Sequence, residues 1–262
     1  MKNSTTLFSF LVSLILVHFS VYAQDATYFD AFETDSFTSE NGGILPYRLL
    51  KPLEYDADKK YPLVIFLHGS GERGEDNSSQ LKNAASVFLD EEIREKYPAF
   101  VLAPQCPEND RWSLHHEGDI TEKYFLSEEP SETMKLLMEL IQSTQESYNI
   151  DEKRLYVTGL SMGGQGVYDL LLRNSDTFAA AVVVCSFTDI RKAGALVDTP
   201  IWIFHGEDDN VVPVDNARVM VNTLDVLGAK PRYTEYTATG HNSWDKAFSE
   251  EKLFPWLFKK KL

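Results

Sequence analysis

The sequence predicts an α/β fold, a mainly parallel sheet with helices on both faces. Three observations carry that reading. Short apolar runs of strand length alternate along the chain with amphipathic runs of helix length, the order from which parallel sheets are built. The run 61–67 is continuously apolar, as a strand covered on both faces is, and it ends in a glycine-rich loop. At Gly159-Leu160-Ser161-Met162-Gly163-Gly164 a serine framed by glycines stands directly after a strand-like run and directly before a helix-like one. A chain of 262 residues with 43% hydrophobic side chains can bury one sizeable core, so a single domain is expected.

The elements follow in order. Residues 1–23 stand apart: Lys2 gives a positive start, 7–17 are a short apolar run, and Val21-Tyr22-Ala23 is a small-residue cleavage pattern. That is the pattern of a signal peptide, with the folded domain over 24–262 and a secreted or periplasmic location. The apolar run, broken by Ser9 and Ser13, is too short for a membrane span, and none is expected in the mature chain. Segments 31–37 and 45–51 read as antiparallel edge strands. A helix is expected over 81–96, a strand over 100–103, and a helix over 132–148 with Met134, Leu137, Met138 and Ile141 on one face and Ser131 as its cap. Then come a strand over 154–158, a helix over 162–173, strands over 180–184 and 201–204, and a helix over 214–227. A strand over 232–237 and a closing helix over 244–258 complete the pattern, with no internal repeat and no low-complexity linker.

The serine turn carries the chemistry. Ser161 is expected in a strained backbone conformation that only small neighbours permit, with its hydroxyl raised above the sheet edge. A serine hydroxyl is a poor nucleophile at neutral pH, so it needs a base to take its proton and a carboxylate to orient that base. Downstream, the loop 207–213 supplies Asp208 and Asp209 at a strand's carboxyl end, with Asp215 beyond it. Thr239-Gly240-His241-Asn242 then places a histidine after the last strand-like run. Its rivals His68 and His205 sit at strand ends followed by glycine, where an imidazole usually satisfies backbone groups.

With these pieces the chain resembles the α/β-hydrolase superfamily, whose triads run in the chain order serine, acid, histidine. Within it the chain is similar to the lid-less secreted esterases related to prolyl oligopeptidase catalytic domains. The resemblance rests on Leu67-His68-Gly69-Ser70-Gly71-Glu72-Arg73-Gly74, Ala103-Pro104-Gln105-Cys106-Pro107, the Ser161 turn, His205-Gly206-Glu207-Asp208-Asp209 with Val212-Pro213, and Gly240-His241-Asn242. It implies Ser161 as nucleophile, Asp209 as orienting acid and His241 as base, with Asp208 a loop cap. It also implies an oxyanion hole formed by backbone N–H groups of Met162 and of Ser70 or Gly71. The implied reaction is two-step acyl transfer without metal or cofactor. The stretch between 185 and 201 leaves room for one short helix and no lid domain.

Other residues receive expectations of their own. Glu72, Arg73 and Asp76 read as an ion-pair network that holds the oxyanion loop. The longest irregular stretch, 107–130, contains Trp112, Tyr124 and Phe125 and reads as a wall of the substrate cleft, with Trp112 as a substrate-binding residue. His115-His116 resembles a fragment of a metal site, yet adjacent side chains do not converge on one ion, so a solvated pair is expected. Cys106 and Cys185 are the two cysteines. In the usual sheet order of the family their strands lie two strands apart, too far for a disulfide, so both are expected free.

The formal net charge of −15, or −16 once Lys2 is removed, disfavours nucleic acid and anionic lipid as partners. The expected partner is an ester, of a short or aromatic acyl group, on a small molecule or a polysaccharide. Two rivals are a serine peptidase of the prolyl oligopeptidase type and a non-catalytic binding protein. For the first, the chain has no room for the β-propeller that screens substrates; for the second, no triad member is missing.

Overall fold

A computed structural model describes residues 29–117 and 124–262, so the expected signal peptide lies outside the described residues. Strands β1 (Phe32–Thr38), β2 (Ile44–Leu50), β3 (Tyr61–Leu67), β4 (Phe100–Pro104), β7 (Ile150–Leu160), β8 (Ala180–Val184), β9 (Ile201–Gly206) and β10 (Arg232–Tyr236) form one sheet. A separate hairpin pairs β5 (His115–Glu117) with β6 (Tyr124–Leu126). The eight-stranded sheet has the order β1-β2-β4-β3-β7-β8-β9-β10. Its β1–β2 and β2–β4 pairs are antiparallel and its remaining pairs parallel. The expected mainly parallel sheet with antiparallel edge strands is what forms.

Helices α1 (Glu91–Lys96), α2 (Glu132–Ser147), α3 (Met162–Arg173), α4 (Asp215–Val226), α5 (Trp244–Phe248) and α6 (Leu253–Leu257) cover the sheet. Strand β3 shows why both faces need cover. Leu63, Ile65 and Leu67 point into the layer that holds Leu137 of α2 and Val167 of α3, while Val64 and Phe66 point into the layer that holds Phe248 and Phe254. None of the five exceeds 1% exposure. Burial of each such side chain stabilises the fold by about 1.5–3 kcal/mol.

Two expected helices break. The segment 81–96 becomes a 3-10 turn at Ala85–Leu89 and a short α1, because Ala84 takes a left-handed backbone (φ 63°) and Asp90 caps the new start by accepting from the Ile93 N–H at 3.0 Å. The closing helix splits into α5 and α6. A continuous helix would require an N–H at Pro255, whereas in the first turn of α6 that donor is not needed. Strand β7 starts four residues earlier than expected, continuing past a register shift opposite β3. Between β8 and β9 stands one 3-10 helix, Ile190–Leu196. Strands β3 and β7 separate the strands that precede Cys106 and Cys185, and both thiols are free and buried. Among the described residues no helix is long and apolar enough to cross a membrane.

Candidate active site

The turn between β7 and α3 is tight enough to dictate its residues. Ser161 has φ 51° and ψ −118°, a left-handed conformation that a side chain normally avoids. A Cβ at Gly163 would lie 1.9 Å from the Leu67 carbonyl oxygen, and one at Gly159 would lie 2.5 Å from the Gly163 carbonyl oxygen. Backbones that pass this closely admit only glycine. The Ser161 N–H donates to the Val184 carbonyl at 2.9 Å, and the Ser186 hydroxyl donates to the Ser161 carbonyl at 2.8 Å. The side chain is thereby fixed above the carboxyl ends of the parallel strands, where open α/β sheets place their ligands.

Strands β9 and β10 end on the same edge and bring Asp209 and His241 to it. His241 Nε2 lies 2.9 Å from Ser161 Oγ, and His241 Nδ1 lies 2.8 Å from Asp209 Oδ2. A carboxylate only accepts, so Nδ1 carries the imidazole proton and Nε2 turns its lone pair toward the serine. The loops are zipped together by backbone bonds, Glu207 N–H to the Tyr236 carbonyl and Asp208 N–H to the Thr239 carbonyl, each at 2.9 Å.

Asp209 is held by three donors, with a fourth group close by. Oδ1 accepts from the N–H groups of Val211 at 2.9 Å and Val212 at 2.8 Å, and Oδ2 accepts from His241 and faces His205 Nε2 at 3.1 Å. Its side chain is fully buried. Asp209 itself therefore caps the loop, the role expected of Asp208. Asp208 is exposed, and Asp215 is an exposed partner of Arg218 at 3.1 Å.

The two rival histidines satisfy backbone groups, as expected, and His205 does more. His68 Nε2 accepts from the Cys106 N–H at 3.0 Å, so its Nδ1–H donates to the Gly69 carbonyl at 2.6 Å. Burial pulls its pKa down to about 4, and it is neutral. His205 donates from Nε2 to the Val212 carbonyl at 2.8 Å while touching the Asp209 carboxylate; burial lowers its pKa too. The four-residue spacing from His205 to Asp209 is the signal that could have revealed this contact.

Beside the serine runs the loop after β3. A Cβ on Gly69 would stand 3.7 Å from Ser161 Cβ, and Ser70 begins the 3-10 turn Ser70–Glu72 that follows. Across from it, Met162 is the first residue of α3, and its N–H has no partner within the helix. The loop is braced, but not by the expected ion pairs. Arg73 donates to the carbonyls of Ser70 at 3.0 Å and Glu108 at 2.9 Å, the buried Glu72 accepts from Asn83 at 2.6 Å, and Asp76 accepts from Ser79 and Gln105. Among the described residues Glu72, Arg73 and Asp76 form no salt bridge with one another.

The stretch 107–130 differs from its expectation in three ways. Trp112 is 0% exposed: its indole N–H donates to the His68 carbonyl at 3.1 Å, and its Cβ sits where a Cβ of Gly166 would be, at 2.6 Å. It is a core residue under the site and cannot line the cleft. Part of the stretch is the β5–β6 hairpin, whose tip lies outside the described residues. There Tyr124 stacks on Phe187, ring centroids 3.8 Å apart, and His115 meets the same ring edge-on at 5.3 Å. His115 is thus no solvated side chain; burial lowers its pKa to about 4, and only His116 is exposed. Phe187 adjoins Ser186, so the hairpin docks against the loop that holds Ser161.

Among the described residues, one set could gather round a metal ion: Cys185 Sγ, an Asp209 oxygen and a His241 nitrogen lie within 4.8 Å of one another. Asp209 and His241 already bond to each other there, and burial pushes the Cys185 thiol pKa up, which disfavours the thiolate a metal needs.

Comparison with known proteins identifies the family. Residues 52–254 match the phospholipase/carboxylesterase family. The chain is 26% identical over 227 residues to acyl-protein thioesterase 1 of Gibberella zeae, covering 78% of this chain and 94% of that protein. It is 26% identical over 176 residues to "Probable feruloyl esterase C" of Aspergillus terreus, covering 67% of this chain and 59% of that one. Among solved structures, a thermostable esterase superposes with a TM-score of 0.83 at 38% identity. That alignment covers 90% of this chain and 64% of the esterase, so the solved protein is substantially longer. The chain belongs to the phospholipase/carboxylesterase family of the α/β-hydrolase superfamily and is a carboxylic ester hydrolase.

Proposed function

We propose that this protein is an exported serine carboxylesterase that cleaves esters of short or aromatic acyl groups, on small alcohols or on polysaccharides. The observation that carries the reading is the unbroken line from Ser161 Oγ through the His241 ring to Asp209, at 2.9 and 2.8 Å. His241 Nε2 takes the Ser161 proton as Oγ attacks the ester carbonyl. Asp209 holds the ring in the tautomer that leaves Nε2 free and stabilises the imidazolium that results. The oxyanion is received by the N–H of Met162 and that of Ser70 or Gly71. His241 then protonates the departing alcohol, and water repeats the cycle on the acyl-enzyme to release the acid.

The aromatic side of the substrate range is supported by Phe187 and Tyr124 beside the Ser186 loop, and by the likeness to a feruloyl esterase. Export is supported by Lys2, the apolar run 7–17 and the Val21-Tyr22-Ala23 pattern. The test is hydrolysis of p-nitrophenyl acetate and of feruloylated and acetylated oligosaccharides, set beside a proline-containing peptide amide. Ester turnover that is blocked by a serine-directed phosphonate, and absent in Ser161→Ala, is expected. Amide turnover exceeding ester turnover would make the protein a peptidase instead.

A further inference from the structure

The face opposite Ser161 carries a feature that ester hydrolysis does not use. The amino ends of β3, β4 and β7 open there onto a groove of about 710 Å³. Its lining contains Lys59, Lys60, Lys96, Arg154 and Lys259, with the carboxylates of Asp56 and Asp151 pairing with Lys59 and Arg154 from just outside it. This is notable in a chain with 40 acidic and 25 basic residues. Arg154 lies within β7 and Ser161 directly after its carboxyl end, seven residues on, about 23 Å along the strand direction.

The cations are concentrated by the backbone and not by chance encounters of mobile tails. The Leu262 N–H donates to the Lys153 carbonyl at 3.1 Å, and the Tyr156 hydroxyl donates to the Lys260 carbonyl at 2.8 Å, which lays Lys259 alongside Arg154. Arg154 is itself fixed by Asp151 at 2.6 Å. Among the described residues Lys60, Lys96 and Lys259 form no salt bridge, so their charge is available. Between them the walls are apolar: Tyr97 and Phe258 stack with centroids 5.0 Å apart, and Pro62, Pro98 and Pro255 complete the lining.

We propose that this groove is a second ligand site that holds a sparsely charged acidic polysaccharide, with sugar rings against the Tyr97–Phe258 wall and carboxylates on Lys60, Lys96 and Lys259. The mixture of apolar ring and proline surface with separated cations suits a polymer that is apolar on one face and carries an acid only at intervals. A dense polyanion such as duplex DNA, with about one charge per 1.7 Å, would extend past the groove onto a strongly acidic surface. The choice of a polysaccharide rests on the esterase reading above; the site would tether the enzyme to the polymer whose ester groups Ser161 attacks.

The experiment reads binding without turnover. Full-length Ser161→Ala protein is run in native gels containing glucuronoxylan or a neutral arabinoxylan. Retardation by glucuronoxylan alone is expected, fading at about 0.5 M salt, where screening is nearly complete. The Lys60→Glu/Lys96→Glu/Lys259→Glu variant, all at exposed positions, should lose about tenfold in affinity, the sum expected of three surface ionic contacts, at an unchanged melting temperature. Equal retardation of the variant, equal retardation by neutral arabinoxylan, or tighter binding to duplex DNA or to phosphatidylserine vesicles would each overturn the proposal. A negative gel leaves ester hydrolysis by the unmutated chain standing, so the two readings fail separately.

Discussion

Replacing Asp209 by asparagine should stop catalysis while sparing the fold, and the groups around its carboxylate say why. Oδ1 closes the loop through the N–H groups of Val211 and Val212, so the new amide keeps its carbonyl oxygen there and turns its NH2 toward His241 and His205. Donor then faces donor. His241 must move its proton to Nε2, the nitrogen that should receive the Ser161 proton, and the base is lost. The corresponding change in a serine-protease triad cost about 10⁴ in kcat, about 5 kcal/mol of transition-state stabilisation. The two backbone bonds survive, so the stability loss should stay near 1–2 kcal/mol, at about 2–4 °C of melting temperature for each. Asp208→Asn, at an exposed position, should change kcat by no more than about twofold. Turnover of p-nitrophenyl acetate and calorimetric melting of both variants decide the matter. An inactive Asp208→Asn beside an active Asp209→Asn would refute the assignment of the acid.

Ser161→Ala and Ser161→Gly should both lower turnover about a million-fold, but the glycine variant should melt higher, because it relieves the positive φ by about 1 kcal/mol. Stability should decline as pH falls from 6.5 toward 4: His68 has its pKa lowered to about 4 by burial, so the unfolded chain takes up the proton first. The stabilisation is complete above 6.5 and amounts to at most about 3 kcal/mol; His68→Gln should flatten the melting profile over that window. Trp112→Phe should cost about 1–3 kcal/mol through the lost bond to the His68 carbonyl and lost volume, leaving KM for small esters unchanged. A raised KM at unchanged stability would return Trp112 to the cleft. Activity should fall steadily as the acyl chain lengthens, with no jump at an oil–water interface, since residues 185–200 hold one short 3-10 helix where a lid would stand.

The order of strands and the serine turn were legible in the sequence because each follows from local constraints. A continuous apolar run such as 61–67 has few ways to fold, and the glycines at 159 and 163 leave one way for the chain to cross Leu67. Ser161, Asp209 and His241, which hydrogen bonds join in a line, could be singled out because each lies in a short loop after a strand. What escaped depends on distant partners. Trp112 looks like a surface aromatic in a polar stretch, and only the space left by Gly166, more than fifty residues away, shows that it belongs inside. Arg73 and Glu72 look like ion-pair partners by charge, yet Arg73 donates to the carbonyls of Ser70 in its own loop and of distant Glu108, and Glu72 accepts from the amide of Asn83. Helix boundaries at Ala84 and Pro255 escaped because helical periodicity continues across both breaks.

His241 is reached through an edge strand of the sheet. Strand β10 is an edge strand of five half-buried residues, paired to β9 alone, whereas Ser161 leaves a strand flanked on both sides. Local opening takes elements with little buried surface first. Fraying of β10 would carry His241 away from a Ser161 still firmly seated, before β3, β7 and β8 lose their pairing. Heat inactivation should therefore run ahead of the global melt and reverse on cooling. The temperature ceiling on catalysis would then be set at one margin of the sheet, and added pairing or packing along β10 should raise it without touching the core.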